Sequence, residues 1–313
     1  MKVSTNKSDV LGFTLTELLV VTGTVGVLAL MILPVLARDR ADSQAGQCFS
    51  NFRQLASAWL MYSEDNSGAC AGNLWQDEQA WKSHPGENWV AGWIGVAGTG
   101  GDGTQGAVGG PDNTNTALLV NPRYSTLGGY TRVPKLYLCP ASGTLGSVSF
   151  TSPTIYPLCR SVSMNCWMGY NTPVAGDPSQ GLGAYFADAA NYKVFKKVTD
   201  ITAGIRPSDA FVFIEERGES IDDGWFAVDG SGLYIINWPA DYHNGAGTVG
   251  FVDGHVETHL WQNARITSGA QPFLNFLTPP EPSPTSKLGG ETESSLFPGS
   301  LPWLQQHATC RDN

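Results

Sequence analysis

The sequence predicts an α+β fold in which a long N-terminal helix, with a membrane-spanning first half, packs on a mainly antiparallel β head with long loops. Three observations predict this fold. An apolar run covers residues 13–36, and apolar residues then recur at helical spacing over residues 37–63. The remaining chain is rich in turns, because the 313 residues include 37 Gly and 19 Pro, which favours a loop-rich β structure over a helical bundle.

The apolar run 13–36, FTLTELLVVTGTVGVLALMILPVL, contains one ionisable residue, Glu17. As a helix it is about 36 Å long and exceeds a bilayer core of about 30 Å. Lys2 and Lys7 precede it, so the positive-inside rule predicts a single-pass protein with its head outside the cytoplasm. A signal peptide fits poorly because the run is too long. A plain anchor does not explain Glu17, because a carboxylate inside a membrane is costly.

The helix is predicted to continue over residues 37–63 as an amphipathic segment. Phe52, Leu55, Trp59 and Tyr62 recur at steps of three and four, which places them on one helix face. The turn-forming sequence SEDNSG, residues 63–68, indicates where the helix ends.

Residues 64–277 are predicted to form the head, and residues 278–313 a Pro/Ser-rich tail. Short apolar segments predict the strands of the head: KLYLCP, TIYPLC, DAFVFIEE, GWFAVD and LYIINW. Thr248–Val252 and His255–Leu260 are predicted to form a hairpin joined by a type I′ turn at Asp253-Gly254. The glycine-rich residues 95–116 are predicted to be a loop, because no nucleotide-binding motif accompanies them.

The sequence GFTLTE, residues 12–17, resembles the processing site of type IV prepilins and type II secretion pseudopilins. The resemblance implies a pilin-like fold, a leader peptide of residues 1–12, cleavage between Gly12 and Phe13, and methylation of the Phe13 amine. Glu17 is then the fifth mature residue, where that family carries its acid. Pro34 is the twenty-second, where many members carry a proline.

This resemblance also implies a function and a set of partners. The chain would be a structural filament subunit whose partners are copies of itself, a prepilin peptidase and an inner-membrane assembly platform. It would lie in the inner membrane before assembly and in a periplasmic or cell-surface filament afterwards. In the filament, Glu17 of one subunit would pair with the Phe13 amine of the next, so that misregistered subunits leave buried charge unpaired.

A second resemblance concerns His243, nine intervening residues, and Asp253-Gly254. This spacing is similar to the C-terminal signature of a prepilin-like family of planctomycetes and verrucomicrobia. The segments CFSNFRQLASAWLMYSEDNSG, YLCP and SVSMNCWMGY also resemble that family. The resemblance implies a pilin-like head but does not indicate what the head binds.

Two groups of residues could hold a metal ion. His243, His255 and His259 with Asp241 and Asp253 form a cluster that resembles a metal site. His255, Glu257 and His259 share one strand face, and two imidazoles with a carboxylate could hold zinc, although a solvated polar face gives the same pattern. Three acids in the glycine-rich stretch DDGWFAVDGSG could instead hold a structural calcium ion with backbone carbonyls. These acids are Asp222, Asp223 and Asp229.

Other functions are disfavoured. The net charge of −10 with only 18 Lys and Arg argues against nucleic acid as a partner. The chain is predicted not to be an enzyme, because it has no GxSxG motif and because adjacent Glu215 and Glu216 face opposite ways on a strand. The alternative function is a membrane-anchored module whose tryptophans bind carbohydrate or another polymer.

The six cysteines form no CxxC pair, which makes a zinc-finger or thioredoxin site a weak interpretation. Cys159 with Cys166, and Cys48 with Cys70, are two possible disulfides. The sequence leaves the pairing open.

Overall fold

The computed structural model describes residues 14–73, 86–94, 111–142, 147–148, 155–169, 186, 188–218, 220–231, 237–261 and 299–312. The side chains of residues 29, 31–41, 111, 147–148 and 155–156 are not included in this description. The chain divides into two compact units, Met1–Ser43 and Gln44–Asn313. The predicted leader with Gly12, the residue Phe13, most of the glycine-rich loop and much of the tail lie outside the described residues, as does the Pro34 side chain.

The described part of the chain contains five α-helices and three 3₁₀ helices. The α-helices are α1 (Leu15–Asp65), α2 (Ala117–Val120), α3 (Gly128–Thr131), α4 (Val198–Thr202) and α5 (Ser300–Ala308). The 3₁₀ helices are Pro111–Thr114, Pro134–Tyr137 and Ala189–Asn191. Helix α1 ends inside the turn signal at residues 63–68, and α5 lies within the predicted tail.

The first unit contains the N-terminal part of α1. Among the residues that the structure describes, none of the helices combines the length and the apolar character needed to cross a membrane. This finding corrects the predicted transmembrane helix over residues 13–36 and the predicted single-pass location in the inner membrane.

The second unit is built around a five-stranded sheet. The strands of the chain are β1 (Ser147–Val148), β2 (Ile155–Tyr156), β3 (Val162–Asn165), β4 (Phe211–Glu215), β5 (Trp225–Phe226), β6 (Ala246–Phe251) and β7 (Val256–Leu260). Strands β1 and β2 form a separate antiparallel pair, and the large sheet has the order β5-β3-β4-β6-β7. Its β3–β5 pairing is parallel and its other pairings are antiparallel.

The predicted fold class is therefore wrong in its membrane-spanning helix. The sheet is mainly antiparallel, as predicted, although the short strand β5 joins β3 in parallel. The membrane-spanning half of the helix is not found among the described helices. The prediction for the central strand is confirmed, because the apolar run of residues 211–214 lies in β4, whose five residues are all buried.

Other predicted strands are shorter or different. The segment KLYLCP begins as the 3₁₀ helix Pro134–Tyr137, because a proline at the first position favours a helical turn. GWFAVD contributes only the two residues of β5. Much of LYIINW lies outside the described residues.

The β6–β7 hairpin is confirmed, with Gly250 opposite Val256, but its turn is not type I′. Gly254 has φ of 87°, and its N–H donates to the Phe251 carbonyl at 3.0 Å. Asp253 is not among the described residues with positive φ, although a type I′ turn needs positive φ at both central residues. The loop is therefore a three-residue connection that ends on a left-handed glycine.

Two hydrophobic clusters pack against the sheet, one on each face. Phe213 belongs to the cluster that contains Phe52 and Leu55 of α1, whereas Ile214 belongs to the cluster that contains Leu301 of α5. Successive strand residues point to opposite faces. The part of α1 after residue 43 and the helix α5 therefore cover opposite faces of the sheet.

All six cysteines are free thiols, so neither predicted disulfide is formed. Cys159 belongs to the cluster that contains α1, whereas Cys166 belongs to the cluster that contains α5. Since these two clusters cover opposite faces, the two thiols lie on different sides of the sheet. The thiol of Cys48 lies beside Cys139 and Glu215 instead of Cys70.

Candidate functional site

The start of α1 is a capping box formed by Thr14 and Glu17. The Thr14 N–H and hydroxyl donate to Glu17 Oε2 at 2.9 and 2.7 Å, and the Glu17 N–H donates to Thr14 Oγ1 at 3.3 Å. These are the reciprocal bonds of the S/T-x-x-E motif. The bonds from Thr14 lower the pKa of Glu17. The sequence analysis missed this role, although the pattern Thr14-x-x-Glu17 is visible in the sequence.

The described residues after this cap form an apolar surface that we call the assembly segment, residues 15–28 and Leu30. Its large side chains are all at least half exposed: Leu15, Leu18, Leu19, Val20, Val21, Val25, Val27, Leu28 and Leu30. Successive helical residues are about 100° apart around the axis, so these nine side chains surround the helix. Thr22 and Thr24 donate their hydroxyls to carbonyls of the same helix.

A second group of functional side chains lies buried in the head. We call it the thiol cluster, and its members are Cys48, Cys139, Glu215 and His243. One potential ligand atom from each residue lies within 4.8 Å of the others. Cys48 and Glu215 are fully buried, Cys139 is 1 % exposed and the His243 side chain is 4 % exposed.

Helix and strand geometry place two members of the thiol cluster. Cys48 lies on the buried face of α1, four residues before Phe52 and therefore one turn away on the same side. Glu215 is the last residue of the central strand β4 and pairs with Val162 of β3. Its carboxylate faces α1, where Cys48 Sγ donates to Glu215 Oε1 at 3.6 Å.

Turns place the other two members. The His243 N–H donates to the Ala246 carbonyl at 3.0 Å, and the Ala246 N–H returns a bond to the His243 carbonyl at 3.2 Å. Between them, Asn244 and Gly245 have φ of 57° and 86°, as a type I′ turn requires. Cys139 follows the 3₁₀ helix Pro134–Tyr137, and its N–H donates to Ser161 Oγ at 2.8 Å.

The distances inside the cluster are short. His243 Nε2 lies 3.2 Å from Glu215 Oε2 and 3.4 Å from Cys139 Sγ. Thr248 supports two members, because its N–H donates to Glu215 Oε2 at 3.1 Å and its hydroxyl donates to Cys48 Sγ at 3.3 Å. The Ala141 N–H donates to Cys139 Sγ at 3.3 Å.

These contacts shift the pKa values of the cluster. The hydrogen bond with Cys139 and burial raise the pKa of Cys48, whereas the bonds that Cys139 accepts from Cys48 and His243 lower the pKa of Cys139. Burial opposes protonation of His243, but its bonds with Cys139 and Glu215 outweigh burial and raise its pKa to about 10. The cluster therefore favours protonation of His243 and makes the Cys139 thiol more acidic than an ordinary cysteine.

A thiolate beside an imidazolium can act as a nucleophile. Burial argues against that use here, because Cys139 is 1 % exposed and a substrate has no surface from which to reach Sγ. Glu215 and Glu216 contact different groups, as strand geometry predicts: Glu216 Oε1 accepts from Ser220 Oγ and Asn237 Nδ2 at 2.8 and 2.6 Å. The expectation that the chain is not an enzyme stays a prediction.

The predicted zinc ligands His255 and His259 have other contacts. His255 Nδ1 lies 2.5 Å from Asp253 Oδ1 in the hairpin turn. The His259 ring lies 4.0 Å from the Trp303 ring and 4.5 Å from the Trp261 ring. The pKa of His259 is lowered to about 4, first by burial and then by the nearby His307.

The predicted calcium ligands bond within their own loops. Asp222 Oδ1 accepts from the Asp223 N–H at 2.7 Å, and Asp223 Oδ1 accepts from the Trp225 N–H at 2.7 Å. Asp229 Oδ1 accepts from the Ser231 N–H at 3.1 Å. Among the described residues, the thiol cluster is the group with metal-ligand spacing, and it includes His243 but none of the other predicted ligands. Metal binding at those positions stays a prediction.

The tryptophans that the structure describes belong to the core and not to an open binding surface. The buried ones are Trp59, Trp89, Trp93, Trp167, Trp225, Trp238 and Trp261. Trp303 is partly buried and packs against the α5 cluster. Nothing in the described surface therefore favours the alternative function of a polymer-binding module.

Of the proposed signature residues, His243 joins the thiol cluster, whereas Asp253 and Gly254 form the turn at the far end of β6. The sequence groups His243 with His255, His259, Asp241 and Asp253 as a candidate metal cluster. It does not predict the actual neighbours Cys48, Cys139 and Glu215. Comparison with protein-family models, with curated proteins and with solved structures gives no significant match to this chain.

Proposed function

We propose that this chain is a structural subunit of a type IV pilus-like or type II secretion pseudopilus filament. It is processed after Gly12 by a prepilin peptidase and assembles through the N-terminal part of α1. The observation that carries the proposal is the assembly segment, whose apolar side chains are exposed around the whole helix.

A helix that is apolar on all sides is stable in water only when other apolar surfaces surround it. The exposed side chains include Leu15 at 75 % and Leu30 at 73 %. A single groove would cover one side of such a helix. Several parallel copies of the same helix would cover all sides, which is the arrangement in the core of a helical filament.

The charge of Glu17 favours copies of this chain as the surrounding surface. Glu17 is the only ionisable residue in residues 13–36, so this stretch supplies no cation of its own. The hydroxyls of Thr22 and Thr24 already donate to helix carbonyls. Cleavage after Gly12 creates an amine on Phe13, and this amine on a neighbouring copy would pair with the carboxylate.

The test compares two forms of the purified protein, one that begins at Phe13 and one that retains the leader, by electron microscopy and sedimentation. We expect filaments only from the form that begins at Phe13. In that form, Glu17→Gln keeps the capping bond, because the motif accepts glutamine, but removes the charge. A charge-assisted bond contributes about 1.5–3 kcal/mol, so the assembly constant should fall at least about tenfold.

The matched control is Thr14→Ala, which removes the cap but keeps the Glu17 charge. It should form filaments nearly as well as the unchanged chain. The proposal is overturned if Glu17→Gln assembles normally, if the form with its leader assembles equally well, or if the mature protein from its host begins at Met1.

A further inference from the structure

We propose that the thiol cluster is a structural site for a divalent metal ion of the zinc type. Its ligands are Cys48 Sγ, Cys139 Sγ, one Glu215 carboxylate oxygen and His243 Nε2. The site does not depend on filament assembly, because all four residues belong to the unit Gln44–Asn313.

Two distances between potential ligand atoms fall within the range of the edges of a zinc tetrahedron. Bonds of about 2.3 Å to sulfur and about 2.0–2.2 Å to nitrogen and oxygen give edges of about 3.4–3.8 Å. Cys48 Sγ lies 3.6 Å from Glu215 Oε1, and Cys139 Sγ lies 3.4 Å from His243 Nε2. His243 Nε2 lies 3.2 Å from the other carboxylate oxygen, Glu215 Oε2. All four potential ligand atoms lie within 4.8 Å of one another, so the more widely spaced ligands would move closer when an ion binds.

The kinds of ligand indicate which metal fits. Thiolates are soft ligands that favour zinc and related transition metals, whereas calcium and magnesium prefer oxygen. Two sulfurs, one imidazole nitrogen and one carboxylate oxygen complete a four-coordinate shell. Four protein ligands leave no open position for a substrate, which is the arrangement of a structural zinc site.

Burial and charge also favour a cation. With His243 neutral, two thiolates and a carboxylate place three negative charges among side chains that are at most 4 % exposed. Without an ion, protons on His243 and Cys48 compensate part of this charge, so binding of a metal ion would displace those protons. A divalent ion reduces the net charge of the site to −1 and allows all four ligands to remain deprotonated.

Neighbouring groups donate hydrogen bonds to the ligand side chains of the cluster. Thr248 donates to Cys48 Sγ and to Glu215 Oε2, and the Ala141 N–H donates to Cys139 Sγ. Donors of this kind orient the ligands of a metal and stabilise thiolate charge. The ion would join α1, the segment after the 3₁₀ helix Pro134–Tyr137, strand β4 and the turn before β6.

The test measures the metal in the full chain purified without chelators. Elemental mass spectrometry should find about one zinc ion per chain, as a single four-ligand site requires. After zinc is removed, titration with Co²⁺ should give sulfur-to-cobalt charge-transfer bands and the strong visible bands of tetrahedral cobalt, which saturate at one equivalent. This spectrum reports thiolate ligands without any substitution.

Substitutions then identify the ligands. Cys48→Ser and His243→Gln should each reduce the zinc content at least about tenfold, in line with the loss of one of the few ligands in such a site. The matched control is Cys166→Ser, because Cys166 is an equally buried cysteine that lies outside the cluster and forms no disulfide. The control should retain its zinc and its cobalt spectrum.

Three results would overturn the proposal. One is a wild-type chain that is folded but holds no transition metal and takes up no Co²⁺. Another is peptide mapping that finds Cys48 joined to Cys139 in a disulfide. The third is loss of zinc in Cys166→Ser to the same extent as in Cys48→Ser. If Cys48→Ser does not fold, the cobalt spectrum of the unchanged chain still decides between a metal site and a network of thiol hydrogen bonds.

Discussion

The two parts of helix α1 use apolar residues in opposite ways. In the assembly segment, every large apolar side chain is at least half exposed. In the later part, Phe52, Leu55 and Trp59 are 1 % exposed or less and pack in the head's core. The two parts belong to one continuous helix, Leu15–Asp65.

The two parts of α1 show that the arrangement of apolar residues around a helix, more than their number, decides whether its own chain can bury it. Apolar residues of the later part recur every three or four positions and form one stripe, which the sheet covers. Apolar residues of the assembly segment occur on every side. One sheet face cannot cover them, so this part needs several neighbours.

Shortening one apolar side chain in each part tests most directly whether the two parts of α1 contribute differently to folding stability. Phe52→Ala should lower the free energy of unfolding by about 3–5 kcal/mol, because it leaves a cavity in a packed core. Leu19→Ala should change the free energy of unfolding by less than about 0.5 kcal/mol, because Leu19 is 63 % exposed. Urea unfolding followed by tryptophan fluorescence measures both values.

The same pair should behave in the opposite way in self-association. Sedimentation of the form that begins at Phe13 should show weaker assembly for Leu19→Ala, at equal protein concentration. Equal losses of folding stability in the two variants would contradict the distinction between the two parts of α1.

A glycine beside the later part of α1 tests how closely the β6–β7 hairpin packs against that part of the helix. Gly254 has φ of +87°, and an added Cβ would lie 3.0 Å from Leu60 Cδ1. Gly254→Ala should therefore cost about 1–2 kcal/mol of folding stability, mainly because a left-handed backbone is unfavourable for alanine. Thermal and urea unfolding measure the loss.

Gly250→Ala is the matched control on the same hairpin. Its added Cβ would lie 3.5 Å from Phe52 Cδ1, which is an ordinary contact, and Gly250 is not among the glycines with positive φ. It should cost clearly less than Gly254→Ala. A larger loss for Gly250→Ala would show that the packing of α1 on the sheet is tighter than the distances indicate.

The smallest expected effect is a loss of folding stability of the head in mild acid. The pKa of His259 is lowered from 6.5 to about 4 in the folded head. The unfolded chain therefore binds more protons in this window, and the head loses stability as the pH falls from about 6.5 towards 4. Because water screens the partly exposed ring, we expect a loss below about 1 kcal/mol between pH 7 and pH 5.5.

The variant His259→Phe keeps an aromatic ring beside Trp303 and should flatten this pH dependence. The cap at Glu17 should respond only at lower pH, because the hydrogen bonds from Thr14 hold the pKa of Glu17 below its ordinary value. Urea unfolding from pH 7 to pH 5 tests the head, and amide exchange at residues 15–18 tests the cap. A pH dependence that is unchanged in His259→Phe would contradict the assignment.

Local features of the fold could be predicted because neighbouring residues specify them. The buried run FVFI predicted the central strand, and the alternation around Asp253-Gly254 predicted the hairpin. The turn type was wrong for a local reason: the type I′ turn is at Asn244-Gly245, and the loop at Gly254 has one more residue than predicted.

The thiol cluster could not be predicted in the same way. Cys48 is 167 residues from Glu215 in the sequence, and Cys139 is 104 residues from His243. No spacing rule relates residues so far apart. Cys48 lies on the predicted buried helix face and Glu215 follows the predicted central strand, but only the packing of α1 on the sheet brings the two side chains together.

The sequence by itself determined the composition of the assembly segment, the single acid within it, the end of α1 and the hairpin, because period, charge and turn chemistry are local properties. The tertiary structure decided which cysteines are neighbours, which residues form the thiol cluster, and that the sheet is mixed. Those features depend on contacts between distant segments, which form only when the hydrophobic clusters on the two faces of the sheet pack.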